Sequence, residues 1–573
     1  MTRQSKVSRL GSAFERLTIE ACLEHVTSIS LIIEEAAGID RKKEPITVGI
    51  PFPEGLLLEG HTLLLTDPES GIRPLQHETL ALWPDGSLKW VLLDFQVSVN
   101  ANTSKELTLV TSDSQGTRSS SSGIVLDEEG DTIGVNTGHA IFRMAKSVFR
   151  PFESIHIDGV EALDLDRSGV ILTDPSGCEH QAVVDKMFVE TKGKLRSTLK
   201  VEGHFRSTPV SGQLLFQARL SFYAGSTTVR LDFTLHNPQA AVHPGGLWDL
   251  GDPGSILFKD LSIVTSLKSG DEAKTECFML EEPTDCADGF TFLPWRGDMS
   301  GRIDSDLIVY QDSSGGENWR SHNHVNRHND VRSAFRGFRV LSGGKAIGEG
   351  LRANPVLTIS NGSSVIAGTV QHFWQNFPKA IESQSGSLVT RLFPGHYSDV
   401  FELQGGEQKT HRVFLAFGRN DTESLSLHWV QSPLIARATP EWYEQSGAFP
   451  HLVHEDQDPN AEVAGWIRSA IHGESTFFHR REIIDEYGWR NFGELYADHE
   501  AVGHEGPEPL VSHYNNQYDC IRGALFQFAQ SGDKRWFVLA NQLCWHVKDI
   551  DLYHTDEDRP EFNRGLFWHT EHY

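Results

Sequence analysis

From Ile124 to about Gly418 the chain repeats short runs of alternating apolar and polar residues, broken every ten residues or so by Gly, Pro, Asn or Asp. Period-two alternation of that length excludes a helical or doubly wound fold for the middle of the molecule, because side chains alternate between the two faces of a strand. It calls for a large antiparallel β-sandwich, drawn here as two sheets over residues 124–435. The clearest hairpin is LLFQARLSFYAGSTTVRLDFTLHN, residues 214–237, with the turn at Ala224, Gly225 and Ser226.

The flanks read differently. Residues 45–110 hold strand signals separated by turn chemistry at Asp67-Pro68, Gly71 and Pro84-Asp85-Gly86, and suggest a small β-barrel in which LKWVLLDFQV is buried on both faces. Residues 1–44 are an extension with a short amphipathic helix near 14–24. The run TSDSQGTRSSSSG is a linker too polar to pack. Beyond Pro440 the period becomes helical, at 461–478 and in an αα-hairpin of residues 518–530 and 534–550. Gly532 ends the first of these helices and Asp533 caps the second. One such hairpin is a single repeat of a toroid or solenoid, so residues 455–573 are read as the start of an α/α toroid that stops short. The expected class is therefore multidomain α+β: small β-barrel, central β-sandwich, helical C-terminal domain.

Against 51 Lys and Arg stand 78 Asp and Glu, a formal charge of −27, which is the wrong sign for a phosphate-tracking surface and argues against nucleic acid. The first thirty residues lack a signal-peptide core and no stretch reaches a membrane span, so a cytoplasmic protein is expected, or a secreted one if the true N-terminus is missing. Six cysteines without C-x-x-C spacing signal neither a disulfide framework nor a zinc ribbon.

The densest chemistry lies at residues 489–519, WRNFGELYADHEAVGHEGPEPLVSHYNNQYD, and in the loop 311–339, QDSSGGENWRSHNHVNRHNDVRSAFRGFR. Flat rings beside Arg, Asn and His suit a sugar cleft. HEAVGHE spaces its histidines i and i+5, which diverge on a helix, and so it is not a zincin motif. Phosphate loops and a G-x-S-x-G elbow are absent.

Several strings together resemble the exo-rhamnogalacturonan lyase family: WPDGSLKWVLLDF (83–95), GGLWDLGDPGS (245–255), QDSSGGENW with NHVNR (311–327), FRGFR (335–339), ELQGGEQKTH (402–411), WRNFGELYADHE (489–500), HYNNQYD (513–519) and residues 549–573. The resemblance implies a polysaccharide lyase that cleaves rhamnogalacturonan-type pectin by β-elimination from a chain end. An acidic polysaccharide or oligosaccharide would be its partner. It also implies that much of the toroid is missing from this chain. Elimination needs donors that neutralise the uronate carboxylate, a base for the C5 proton and an acid for O4. Tyr514, His569, His513 and His499 are the candidate acid–base groups. Arg490, Asn515, Asn516, Asn323, His324, Arg327, Trp319, His572 and Tyr573 are the candidate substrate ligands. A buried, hydrogen-bonded tyrosine and histidine holding helix ends is the plain alternative for Tyr514 and His569. No cofactor is predicted, with calcium left open. A glycoside hydrolase or a non-catalytic carbohydrate-binding protein on the same scaffold are the competing functions.

Overall fold

The computed structural model describes residues 27–112, 123–206, 213–268, 273–284, 293–294, 306–419, 425–496, 511, 513 and 516–567. The predicted helix at 14–24 and most of the linker lie outside these residues. The chain divides into two compact units: Met1–Ser122 with Leu434–Pro459 and Phe526–Gly532, and Gly123–Pro433 with Asn460–Leu525 and Asp533–Tyr573.

The first unit is the barrel. One sheet orders the strands Ala436–Arg437, Ser28–Glu34, Ser104–Ser112, Thr62–Asp67 and Gly71–Arg73; a second orders Arg41–Pro51, Leu88–Val99 and Gln76–Leu82. The strands thus begin at Ser28 rather than 45, and a two-residue strand about 400 positions later completes the edge by pairing Ile33 with Ala436. In LKWVLLDFQVSV only the middle is continuously buried, at Leu93, Asp94 and Phe95; elsewhere it alternates, because this sheet has one face in the core. The buried Arg41 guanidinium joins Glu35 at 2.7 Å and Glu44 at 2.9 Å, and Glu44 accepts the Leu434 amide at 2.6 Å, so residues near 434 belong with the barrel. Helix α1 (Pro440–Ser446), capped by Thr439, follows, and Trp442 Nε1 donates to the Pro51 carbonyl at 2.8 Å.

The second unit is built on one antiparallel sheet of sixteen strands rather than two separate sheets, with a five-stranded sheet of residues 125–161 beside it. The long sheet closes on itself: Val365–Val370 and Ser387–Phe393 face each other without pairing. Strand Glu179–Thr191 makes the turn possible, with register shifts at Val184/Lys186 and Val189/Thr191 that bend it. The predicted hairpin is present as Leu215–Tyr223 against Thr228–His236, with Gly225 at φ +63°. Phenylalanines fill the interior, for example Phe216 stacked on Phe233 at 5.5 Å.

Lys379 is buried in this core, its Nζ bonded to the Leu392 carbonyl and to His411 Nδ1 at 3.1 Å. Burial, with Lys409 nearby, holds its pKa well below the ordinary 10.5. The unfolded chain takes up that proton below pH 10.5 and the folded chain does not, so the contribution favours folding at high pH and is lost as pH falls. Lys379→Met is expected to remove a slope of about 1.4 kcal/mol per pH unit from the alkaline side of the stability profile, measured by urea unfolding at a series of pH values. An unchanged profile would mean that the amine is charged in the fold.

The described helices of the C-terminal part are α2 (Ala461–Ser469), α3 (Phe477–Ile484), α4 (Gly488–Asn491), α5 (Cys520–Ser531) and α6 (Lys534–His546). The single helix predicted over 461–478 is two, because Gly473 takes φ +93° and Thr476 starts α3 by accepting the His479 amide at 3.1 Å. The αα-hairpin is present, with Gly532 at φ +71° and Asp533 accepting from the Arg535 amide. Residues 547–550, the end of the predicted helix, belong with Asp551 to a wider π-type turn, Val547–Asp551. Its Asp549 accepts the Thr410 amide at 2.7 Å and so seats the end of α6 on strand Gln408–Gly418.

Candidate active site

The loop 312–337 leaves strand Leu307–Gln311 and returns in Phe338–Ser342, two strands that pair along their length. A tight turn would join such strands, so the long excursion needs its own anchors. Asp312 accepts the amide of Phe335 at 3.0 Å and also that of Ala334, and Ser313 Oγ accepts the Gly337 amide at 2.9 Å. At Gly315, φ +74°, a Cβ would lie 2.3 Å from the Leu351 carbonyl oxygen, so only glycine fits.

The far side of the loop caps helix α3. Asn323 Nδ2 donates to the Ile484 carbonyl at 3.0 Å and Asn318 Nδ2 to Ile483 at 2.9 Å, satisfying the orphan carbonyls of a helix end. Asp485 follows at φ +55° with its side chain buried, and each carboxylate oxygen takes one donor from the loop: Ser314 Oγ at 2.6 Å and His324 Nε2 at 2.6 Å. With Nε2–H donated to Asp485, the lone pair of the His324 ring sits on Nδ1.

His324 lines an open cleft. Asn323, Arg327, Tyr397, Glu402 and Arg490 are in the same lining, with Trp489 as its aromatic wall. Arg327 meets Asp399 at 3.3 Å, and Asn326 donates to the same carboxylate. Burial acts to raise the Asp399 pKa, but the Val400 amide, Asn326 and Arg327 outweigh it and hold the group below the usual carboxylate range. Burial, with the charges of Asp399 and Asp312, pushes the Tyr397 hydroxyl above the usual tyrosine range, so it stays protonated. Arg490 lies over the Trp489 ring at 4.6 Å and donates through Nη2 to the Glu402 carbonyl at 2.6 Å, with Glu407 at 3.2 Å. Trp489 itself packs edge-on against Phe393 at 5.2 Å.

The cleft thus brings together Asn323, His324, Arg327 and Arg490. It does not include Trp319, whose ring takes the Arg320 guanidinium at 4.5 Å, nor His513, which is buried 3.3 Å from Glu486. Asn516 is spent on structure, donating to Asp551 at 2.8 Å and to the Phe567 carbonyl at 2.7 Å. His499, Tyr514, Asn515, His569, His572 and Tyr573 lie outside the described residues. Sequence reasoning passed over Tyr397, Glu402 and Asp485. The only available signal for them was their nearness to quoted motifs, Glu402 opening ELQGGEQKTH and Asp485 standing four residues before Trp489.

Among the described residues one His–carboxylate group has metal-ligand proximity: Glu494, His546 and Asp551, all buried, with His546 Nε2 at 2.8 Å from Glu494 and 3.3 Å from Asp551. Burial opposes charge on the ring, yet the two carboxylates raise the His546 pKa to about 10.

Two family models match: the PcRGLX-like N-terminal RIFT barrel domain over residues 33–112 and the PcRGLX-like central β-sandwich domain over residues 124–242. These two domains are PcRGLX-like. The match bears out the family likeness over these two stretches, of which the quoted string WPDGSLKWVLLDF (83–95) is part. Uncharacterized protein YetA of Bacillus subtilis (strain 168) is 26% identical over 92% of this chain, and the chain spans 66% of the length of that relative. An alpha-mannosidase from Enterococcus faecalis V583 overlays on 72% of this chain and 46% of its own, at 8% identity and a TM-score of 0.37. Galactose 1-epimerase from Lactobacillus acidophilus NCFM overlays on 52% of this chain and 98% of its own, at 11% identity and 0.27. Scores of that size say nothing about chemistry. Among the described residues no helix is long and apolar enough to cross a membrane.

Proposed function

We propose that the PcRGLX-like chain acts on a uronic-acid-containing polysaccharide of the rhamnogalacturonan type and cleaves it by β-elimination. The observation that carries this reading is the His324–Asp485 pair set into a cleft that also holds two arginines and a protonated tyrosine. In this reading Arg327 and Arg490 neutralise the galacturonate carboxylate, which makes the C5 proton acidic enough to remove. His324 Nδ1 takes that proton, the C5–H electron pair forms the C4–C5 double bond, and the C4–O4 bond breaks. Tyr397 gives its proton to the departing O4. Protein donors supply the neutralisation, so the reading calls for no cofactor.

Hydrolysis through paired carboxyl groups is less well supported. It requires an acid and a second carboxylate across the scissile bond, and Glu402 is the only carboxylate in the described lining. Incubation with rhamnogalacturonan is expected to produce unsaturated oligosaccharides, followed by their ultraviolet absorbance. New reducing ends without that absorbance would sink the elimination and favour a hydrolase.

A further inference from the structure

Behind the His324–Asp485 pair lies Arg352, whose side chain is completely buried. It precedes strand Ala353–Ser360, and its guanidinium lies 4.1 Å from the centre of the Trp374 ring and 5.4 Å from that of Tyr487. Nε donates to the Ser314 carbonyl at 3.2 Å and Nη2 to Glu482 Oε2 at 2.6 Å. From there two hydrogen-bonded chains run to the cleft. Ser314 Oγ donates to Asp485, which holds His324, and Glu482 Oε1 accepts the Tyr487 hydroxyl at 2.6 Å. His324 and Tyr487 both line the cleft. Ser314 stands at the start of the loop 312–337 and Glu482 in the last turn of α3, so one guanidinium joins the two elements that make the pair. Its third nitrogen, Nη1, is buried with no hydrogen-bond partner among the described residues. An arginine in that state is a poor stabiliser, because its lost hydration is only partly offset.

The guanidinium also sets the local charge. A Cβ on Gly316 would stand 2.9 Å from Asp485 Oδ1 and 3.4 Å from Glu482 Oε2, so a single glycine separates the two carboxylates. Uncompensated, both would draw a proton onto the His324 ring, and a protonated ring cannot accept one from C5. We infer that Arg352 is a positioning residue for the elimination: it clamps Ser314 to helix α3, which aims His324 through Asp485, and it offsets Glu482, so that the ring feels one carboxylate rather than two. Its part in turnover rests on the cleft being the elimination site, as proposed above. The other groups around His324 are Arg327 on its own loop, Arg490, Glu402 and Tyr397 in the cleft lining, and Phe377 edge-on at 5.0 Å. Changes at Arg352 or Glu482 leave all of these in place.

The test follows the His324 ring by NMR in the chain carrying isotope-labelled histidine, its signal assigned by its loss in His324→Gln. Arg352→Met leaves Glu482 unbalanced and is expected to move the His324 titration midpoint up by about 0.5–1 pH unit. Glu482→Gln leaves Arg352 unbalanced and is expected to move it down by a similar amount. Loosening of the fold alone gives no such pair of opposite shifts. Midpoints that stay put in both variants, or that move the same way, overturn the inference. Arg352→Lys keeps the charge, but one ammonium cannot span Ser314 and Glu482. Its midpoint should hold while kcat for unsaturated product falls about 10- to 100-fold with KM little changed, and an unchanged kcat overturns the positioning. Should Arg352→Met fail to fold, Glu482→Gln decides alone, by a downward shift or none. The titration is read without substrate, so a chain that makes no unsaturated product sinks the lyase reading, while the midpoints still judge the charge balance at His324.

Discussion

Replacing His324 by Gln is expected to lower the rate of unsaturated-product formation by about 10²- to 10⁴-fold, the range for loss of a positioned acid or base. The fall belongs in kcat rather than KM, because a base acts on the C5 proton only in the transition state, whereas Arg327 and Arg490 hold the carboxylate in both states. Asp485→Asn separates orientation from chemistry. The Asn oxygen can still accept from Ser314 Oγ, but its amide then faces His324 Nε2 and favours the tautomer with hydrogen on Nδ1. That tautomer has no lone pair for the substrate, so Asp485→Asn should lose nearly as much activity as His324→Gln while unfolding at a similar urea concentration. Steady-state rates on rhamnogalacturonan and urea midpoints for the three proteins decide it. A loss below about three-fold in either variant would show that the base lies elsewhere in the chain.

What could be read in advance, and what could not, follows from how each group is made. Asn323, His324 and Arg327 stand out in sequence because a loop joining two paired strands needs nothing as rich as 312–337, and the structure sets all three in the lining of one cleft. The barrel, the β-sandwich architecture and the αα-hairpin were legible because period-two and period-3.6 patterns survive in sequence whatever the tertiary context. The single sixteen-stranded sheet was not, since a strand buried on one face alternates identically whether its sheet is one of two or a bent half of one. Nor was Ala436–Arg437, whose two residues have no pattern and gain meaning only by pairing with Ile32 and Ile33. His513 reads as an acid–base group and Asn516 as a substrate ligand from residue type, yet Glu486 and Asp551 engage them inside the protein. Asp485 shows the reverse. It reads as a charged residue at a helix end, and becomes part of the site only because Ser314 and His324, some 160 to 170 positions earlier, fold onto it.

His546 should prove the costliest single position in the second unit. His546→Leu leaves Glu494 and Asp551, whose side chains are 0% and 1% exposed, facing each other across an apolar side chain, and a loss of about 3–5 kcal/mol is expected for such uncompensated buried charge. Neutralising the carboxylates as well, with Glu494→Gln and Asp551→Asn, should restore much of it, because the cost lies in unpaired charge rather than in shape. The pH dependence carries a sign that tests the pairing. The folded pKa of about 10 stands above the ordinary 6.5, so the stabilisation is present in full below pH 6.5 and is lost as pH rises through about 10. Lys379 slopes the other way below pH 10.5, since its depressed pKa favours the fold at high pH. The two slopes oppose each other in the wild type. Relative to the wild-type chain, urea midpoints between pH 6.5 and 10 should therefore trend downward with rising pH in Lys379→Met and upward in the His546→Leu, Glu494→Gln, Asp551→Asn triple variant. A triple variant whose profile matches the wild type would mean that His546 is neutral in the fold, and the two buried carboxyl groups would then be balanced by a shared proton or a bound cation.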